Sequence, residues 1–192
     1  MKNQHILFGI CGSFCNHAAV LKEFEKLCEE NDVQAVVSEN VFTCNTRFFQ
    51  HEDFISRLEK ASHKPVIHTI VEAEKVGPSN AYDIMIIAPM SATVAAKMVL
   101  GIYDHPVTLA AKAMLRNNRN IVFGIASNDG LSISAKNIFT LINLKHFFVI
   151  PFAQDAPFEK ERSIVSKWNL LEKTADMALE DRQIQPILYG GD

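Results

Sequence analysis

The stretch that most constrains this chain is residues 84–98, IMIIAPMSATVAAKM. Four apolar residues in succession, Ile84, Met85, Ile86 and Ile87, leave no polar face, so a strand built from them needs cover on both sides. Ala88 and Pro89 end the run. Ser91 and Thr93 are N-cap types, and Ala92, Ala95, Ala96, Lys97 and Met98 are good helix formers. The pattern predicts a helix starting at Thr93 with free backbone N–H groups facing outward. Such a start attracts a phosphate or polarises a carbonyl. Taken alone, the segment reads more simply as an ordinary strand-to-helix connection, and the rest of the chain decides its meaning.

The same unit recurs. Residues 5–11 read as a buried strand, and Gly9, Gly12 and Ser13 lead into a turn before a helix over 18–30, with Leu21, Phe24, Leu27 and Cys28 on its inner face. Gly12 lets the backbone approach a ligand, and Ser13 can offer a hydroxyl donor to a phosphate. The row reads G-I-C-G-S-F rather than G-x-G-x-x-G, which disfavours an NAD-type pyrophosphate site and leaves a mononucleotide open. Residues 33–37 form a second strand ended by Ser38, on the same carboxyl edge as Ser13 if the two strands are parallel. The polar stretch after it carries Arg47, usually a solvated residue but also the natural fork for a substrate carboxylate.

Further along, Phe54, Ile55 and Leu58 start an amphipathic helix that closes before Pro65. Residues 66–71 read as a third strand containing His68, and 72–81 as a long polar loop. A histidine in a strand is more often structural than catalytic, although its ordinary pKa makes it the readiest acid or base. A helix over 107–115 precedes a strand over 121–126. The polar turn at Ser127, Asn128, Asp129 and Gly130 is a second candidate ligand loop, equally explained by turn chemistry. A helix over 135–144, a short strand over 147–151, a loop over 152–157, one final helix over 163–179 with Trp168 and Leu171 inward, and an extended tail over 183–192 complete the reading.

At 192 residues and 48% hydrophobic, the chain suits one domain, 1–192, with ample core. A net charge of −3, a pI near 6.2 and no Lys/Arg cluster longer than a pair argue against nucleic-acid or acidic-membrane partners. No apolar run reaches the ~18 residues of a membrane span, and the apolar part of the N-terminus is too short for a signal peptide, so a cytoplasmic location is expected. Cys11, Cys15, Cys28 and Cys44 lack paired C-x-x-C spacing, which fits reduced thiols and implies no metal.

The residues APMSATVAAKMVLGIYD resemble the signature of the flavoproteins that include phosphopantothenoylcysteine decarboxylase and the lantibiotic cysteine decarboxylases. That signature is Ala-Pro-x-Ser-Ala-Asn-Thr, then Ala-Lys and a Gly-x-x-Asp turn, and Ala88, Pro89, Ser91, Ala92, Ala96, Lys97, Gly101 and Asp104 agree with it. Position 93 is Thr where the family has the Asn that assists decarboxylation, which counts against a decarboxylase but not against FMN binding. N-T-R-F at 45–48, H-T-I-V-E-A-E-x-x-G-P at 68–78, S-N-D-G-L at 127–131 and P-F-A-Q-D-A-P at 151–157 resemble a narrower group, the B subunits of dipicolinate synthase, over nearly the whole chain.

The resemblance implies a three-layer α/β/α sandwich with a mostly parallel sheet, flavodoxin-like or Rossmann-like. It further implies oxidation of dihydrodipicolinate to dipicolinate together with a nicotinamide-binding A subunit, which brings in NADP, and expression in the mother cell of a spore former. Homo-oligomers, trimers or multiples of them, with flavin at the boundary between copies are implied by the family. On this basis Gly12, Ser13 and Ser38 are expected to hold the FMN phosphate, and Pro89, Met90, Ser91, Ala92 and Thr93 to face the ring. Arg47, Asn128 and Asp129 are expected to hold the small dicarboxylate, and His68 with Arg47 to be catalytic. An FMN-dependent decarboxylase and a catalytically silent partner of the A subunit are the alternatives.

Overall fold

The unbroken apolar run does form the central strand, and its two faces feed two separate cores. In the computed structural model, which describes residues 1–190, β3 (Ile84–Met90) is buried at every position. Ile84, Ile86 and Ala88 face one helical layer, while Met85, Ile87 and Met90 face the other. β1 (His5–Ile10) alternates likewise, with Ile6, Phe8 and Ile10 on the first side and Leu7 on the second. Burial at about 25 cal/mol per Å² makes these two layers the dominant source of stability.

Parallel partners surround β3. β2 (Asp32–Val37) pairs with β1, β1 with β3, β3 with β4 (Asn120–Ser127), and β4 with β5 (Phe147–Val149), all parallel. The parallel order 2-1-3-4-5 is flavodoxin-like, as expected. Pro89 has no N–H to give the ladder, and the β3–β4 register shifts between Ile87 and Met90.

One face carries α1 (His17–Cys28), α3 (His51–Ser62) and α9 (Leu171–Leu179). The other carries α4 (Ile70–Glu74), α5 (Val76–Ser79), α6 (Ala92–Leu100), α7 (Pro106–Arg116) and α8 (Ala135–Asn143). A short α2 (Glu39–Thr43) follows β2. Gly9 and Gly124 permit two close approaches. A Cβ on Gly9 would lie 2.9 Å from Val107 of α7, and one on Gly124 would lie 2.4 Å from the Trp168 ring.

Four expectations are corrected. Residues 66–71 are not a strand: Ile67 makes a single bridge to Val36, and Thr69 caps α4 instead. The cause is a capping box, in which the Glu72 N–H donates to Thr69 Oγ1 (3.2 Å) while Glu72 Oε2 accepts the Thr69 N–H (3.0 Å). The loop expected over 72–81 accordingly contains α4 and α5.

The expected single helix over 163–179 begins instead as β7 (Ile164–Ser166), then a 3-10 turn at Trp168–Leu170, and only then α9. β7 runs antiparallel to β6 (Phe152–Gln154), within the stretch read as a loop, and to the second half of β4. The tail is tied to β6, since Tyr189 N–H donates to Phe152 O and Phe152 N–H to Ile187 O; its last two residues lie outside those described. All four cysteines are free. Among the described residues no helix is long and apolar enough to cross a membrane, and no group of side chains could hold a metal ion.

His17, at the start of α1, is fully buried against the rings of Phe54 (4.8 Å) and Phe49 (5.1 Å), which also stack on each other at 4.7 Å. Its Nε2 bonds Cys11 O at 2.8 Å, and a carbonyl only accepts, so Nε2 carries the proton. Burial pushes its pKa down to about 4. The folded protein therefore holds this imidazole neutral while the unfolded chain protonates it near pH 6.5. Stability from this group is complete above about pH 6.5 and lost on acidification towards pH 4, by on the order of 3 kcal/mol. Urea midpoints measured from pH 7.5 to 4.5 should fall, and His17→Phe should flatten part of that slope; an identical slope would refute the assignment. Gly124→Ala must displace Trp168, so its urea midpoint should drop by the equivalent of about 1–3 kcal/mol, whereas an unchanged midpoint would show that the ring yields freely.

Candidate functional site

The carboxyl ends of β1, β2, β3 and β4 bring four short polar turns to one edge of the sheet. The segments after β1 and β3 leave for opposite faces, which opens a crevice at this edge. After β3, Ser91 caps α6 by accepting the Val94 N–H at 3.3 Å. The helix thus starts at Ala92, one residue before the expected Thr93, because Ser91 is extended and its hydroxyl reaches the third residue on. After β2, Ser38 caps α2 in the same way, accepting the Val41 N–H at 3.3 Å.

The turn after β1 behaves differently. Ser13 sits in the left-handed region at φ 76°, and its hydroxyl donates to Ala126 O at 2.7 Å. Its proton is therefore given to the end of β4, contrary to the expectation of a hydroxyl donor for phosphate. Gly12 has no left-handed φ to explain it, but an added Cβ would meet nothing within 4 Å. What the glycine supplies is open space beside the backbone. Cys11, just before it, is buried, which raises its thiol pKa to about 12 and keeps it inert.

Two cavities open at this edge and meet at Ser91 and Thr93. The larger, about 750 Å³, is lined by Ser13, Ser91, Ala92 and Thr93, by Ser127, Asn128 and Asp129 from the end of β4, and by Asp155, Lys160 and Ser163 from the β6–β7 hairpin. The smaller, about 400 Å³, is lined by Gly12, Ser38, Glu39, Asn40, Ser91, Thr93, Lys97 and His105. Asp129 accepts from Ser127 Oγ (2.5 Å) and Ser134 Oγ (2.7 Å), which holds its carboxyl below the usual range, so it is ionised at neutral pH. Lys160 is paired with Asp155 at 2.8 Å and Lys97 with Asp104 at 2.7 Å.

The structure therefore brings together Gly12, Ser13, Ser38, Ser91, Ala92, Thr93, Asn128 and Asp129, and separates four other expected residues from them. Pro89 and Met90 are buried in β3 and line neither cavity, Met90 lying in the core with Phe123 and Ile125. Arg47 is exposed, its guanidinium 4.8 Å from the Phe48 ring centre. His68 stacks on Phe42 at 3.7 Å with Nδ1 3.4 Å from Glu72 Oε2. Neither lines either of these two cavities.

Lys160, Ser163 and His105 were missed. Lys160 and Ser163 reach the site through antiparallel pairing of β7 to β4, a non-local contact with no local sequence signal. His105 had one: a polar residue before Pro106 marks an N-cap followed by proline in the first helical turn.

Residues 1–178 match the family described as Flavoprotein. The B subunit of dipicolinate synthase from Bacillus subtilis (strain 168) is 41% identical over 189 residues, covering 98% of this chain and 94% of the relative. The crystal structure of the dipicolinate synthase B chain from Bacillus halodurans superposes with a TM-score of 0.90 at 35% identity, covering 100% of this chain and 98% of the other. The FMN-dependent cysteine decarboxylase SpaF shares the fold, with a TM-score of 0.70 at 16% identity over 93% of this chain and 96% of its own. With the family match spanning nearly the whole chain and the relatives covered almost end to end, the protein belongs to the Flavoprotein family.

Proposed function

We propose that this chain, a single domain over 1–192, is an FMN-binding subunit that oxidises dihydrodipicolinate to dipicolinate together with an A subunit, in the cytoplasm of a spore-forming mother cell. The observation that supports it best is the pair of adjacent cavities at the crevice beside β3, which share Ser91 and Thr93 and are bordered by capped helix starts and by the open space at Gly12. Flavodoxin-like sheets hold FMN at this switch point. The donor set fits a phosphorylated flavin. Gly12 leaves room for a phosphate, Ser38 and Ser91 keep free O–H groups because their lone pairs serve as caps, and the α6 N-terminus is positive.

Aromatising a dihydropyridine dicarboxylate removes a hydride and a proton, and a bound flavin supplies the hydride acceptor that no side chain can. The protein's own task is to hold and orient. Gly12 and Ser38 bound the phosphate end, with Ser13 pinning the turn through Ala126, while Ser91, Ala92 and Thr93 flank the ring. In the larger cavity Lys160, steadied by Asp155, takes the carboxylate-pairing role expected of Arg47. Asn128 and ionised Asp129 orient the ring, and the released proton leaves to solvent, since the lowered pKa of Asp129 makes it a weak base. Arg47 and His68 serve a substrate only where a second copy of the chain meets the groove, in a trimer or a multiple of it. A relative described as a dodecameric FMN-dependent decarboxylase is consistent with such assembly. NADP would enter through the A subunit.

Titrating the purified protein with FMN should give a perturbed flavin absorbance band and quenched fluorescence, saturating at one flavin per chain. Gly12→Ala should fold as well as the parent and bind FMN several-fold more weakly, since its methyl group meets only cavity space. No saturable binding by the parent would overturn the flavin reading and leave a partner that completes the A subunit's site. With the A subunit added, Lys160→Met should raise KM for the dihydro-dicarboxylate about tenfold or more at little change in kcat; an unchanged KM would remove Lys160 from substrate binding.

A further inference from the structure

Three helices begin at the smaller cavity, and each is capped by a side chain that lines it: Ser38 for α2, Ser91 for α6 and His105 for α7. A cap uses a lone pair, which fixes what the rest of the group can offer. His105 Nδ1 accepts the Val107 N–H at 3.3 Å, so in the neutral ring the proton resides on Nε2. Among the described residues Nε2 has no protein partner. The Ser38 and Ser91 oxygens also accept from backbone N–H groups, at 3.3 Å each, and retain their O–H bonds for other acceptors. Lys97 Nζ gives one N–H to Asp104 and keeps two more, its side chain only 27% exposed.

We propose that the smaller cavity is an oxyanion subsite, in which His105 acts as a neutral Nε2–H donor beside Lys97, Ser38 and Ser91 to hold a carboxylate or phosphate group of the ligand. The charge comes from Lys97 and from the start of α6, while the imidazole adds direction without adding charge. Protonating His105 would cost the α7 cap. Burial lowers its pKa first and nearby Lys97 lowers it further, against smaller opposing effects of Asp104 and Glu39, so the ring is neutral at pH 7. Glu39 is an exposed carboxylate at the cavity wall. Whether the bound oxyanion is the flavin phosphate or a substrate carboxylate rests on the function proposed above; the subsite itself does not.

The test separates capping from binding. Asn, Asp and Ser all cap helices, so His105→Asn, His105→Asp and His105→Ser should match one another in stability to within a few tenths of a kcal/mol. Asn also presents an N–H to the cavity, Ser keeps only an O–H on a shorter side chain that stops well short of the His105 Nε2 position, and Asp removes the donor and adds charge. Affinities for FMN, riboflavin, inorganic phosphate and pyridine-2,6-dicarboxylate would be measured for each, with the ¹⁵N shift of His105 Nε2 followed in the parent.

The Asn variant should bind its anion within about threefold of the parent, Ser several-fold weaker and Asp at least about tenfold weaker. A loss for FMN but not riboflavin identifies the phosphate as the occupant; a loss for the dicarboxylate alone identifies the carboxylate. Equal binding by all three variants, or a His105 signal unmoved by every anion, overturns the proposal. If the parent binds neither flavin, the flavin reading fails, while phosphate and the dicarboxylate still test the subsite.

Discussion

Everything at the carboxyl edge depends on β3 being buried on both faces. A strand with no polar side cannot lie at a sheet margin or under a single helical layer, so it must be central, with parallel neighbours and helices above and below. The chain then leaves β1 towards one layer and β3 towards the other, and the space between the two departures is the crevice. The polar turns are positioned by this apolar constraint rather than by contacts among themselves. The cross-connection from Ser13 to Ala126 is the main exception, since it fastens the β1 turn to β4 past the end of β3.

Much of this was legible in the residues. The apolar run is the central strand, the Gly12–Ser13 turn, Ser38 and the Ser127–Gly130 turn all fall at strand ends, and the mostly parallel sheet accords with alternating strand and helix patterns, which leave the strand order open. The failures have two causes, one local and one non-local. Residues 66–71 are β-rich in composition, yet Thr69 and Glu72 satisfy each other's backbone neighbours and start a helix; T-I-V-E is a capping-box spacing that outweighed β propensity. Ile164, Val165 and Ser166 look helical when run into the following segment, and only pairing with Ala126 and Ser127, nearly forty residues earlier, makes them a strand.

The candidate site was legible where it is local and hidden where it is not. Hydroxyl groups at strand ends are visible in one dimension, but the direction of their protons is not: Ser13 gives its proton to the protein, while Ser38 and Ser91 keep theirs. The cations show the same limit. Arg47 stood out as the lone cation of a polar stretch, yet it lies outside both cavities, and Lys97 and Lys160, each tethered by a nearby aspartate, line them instead. Membership of the Flavoprotein family accords with the fold and with the Ala-Pro-x-Ser segment, while the hydrogen bonds at the site show which of its groups remain free to act.

β4 is divided along its length. Its first half, Ile121 to Phe123, is held by β5 in the parallel sheet, and its second half, Ala126 and Ser127, by the antiparallel hairpin that walls the larger cavity. The hairpin connection, residues 155–163, can therefore lengthen, shorten or change charge without disturbing a single parallel ladder or either helical layer. A chain built this way can revise what its larger cavity admits while keeping its core, which makes the hairpin the part of the molecule most open to divergence in specificity.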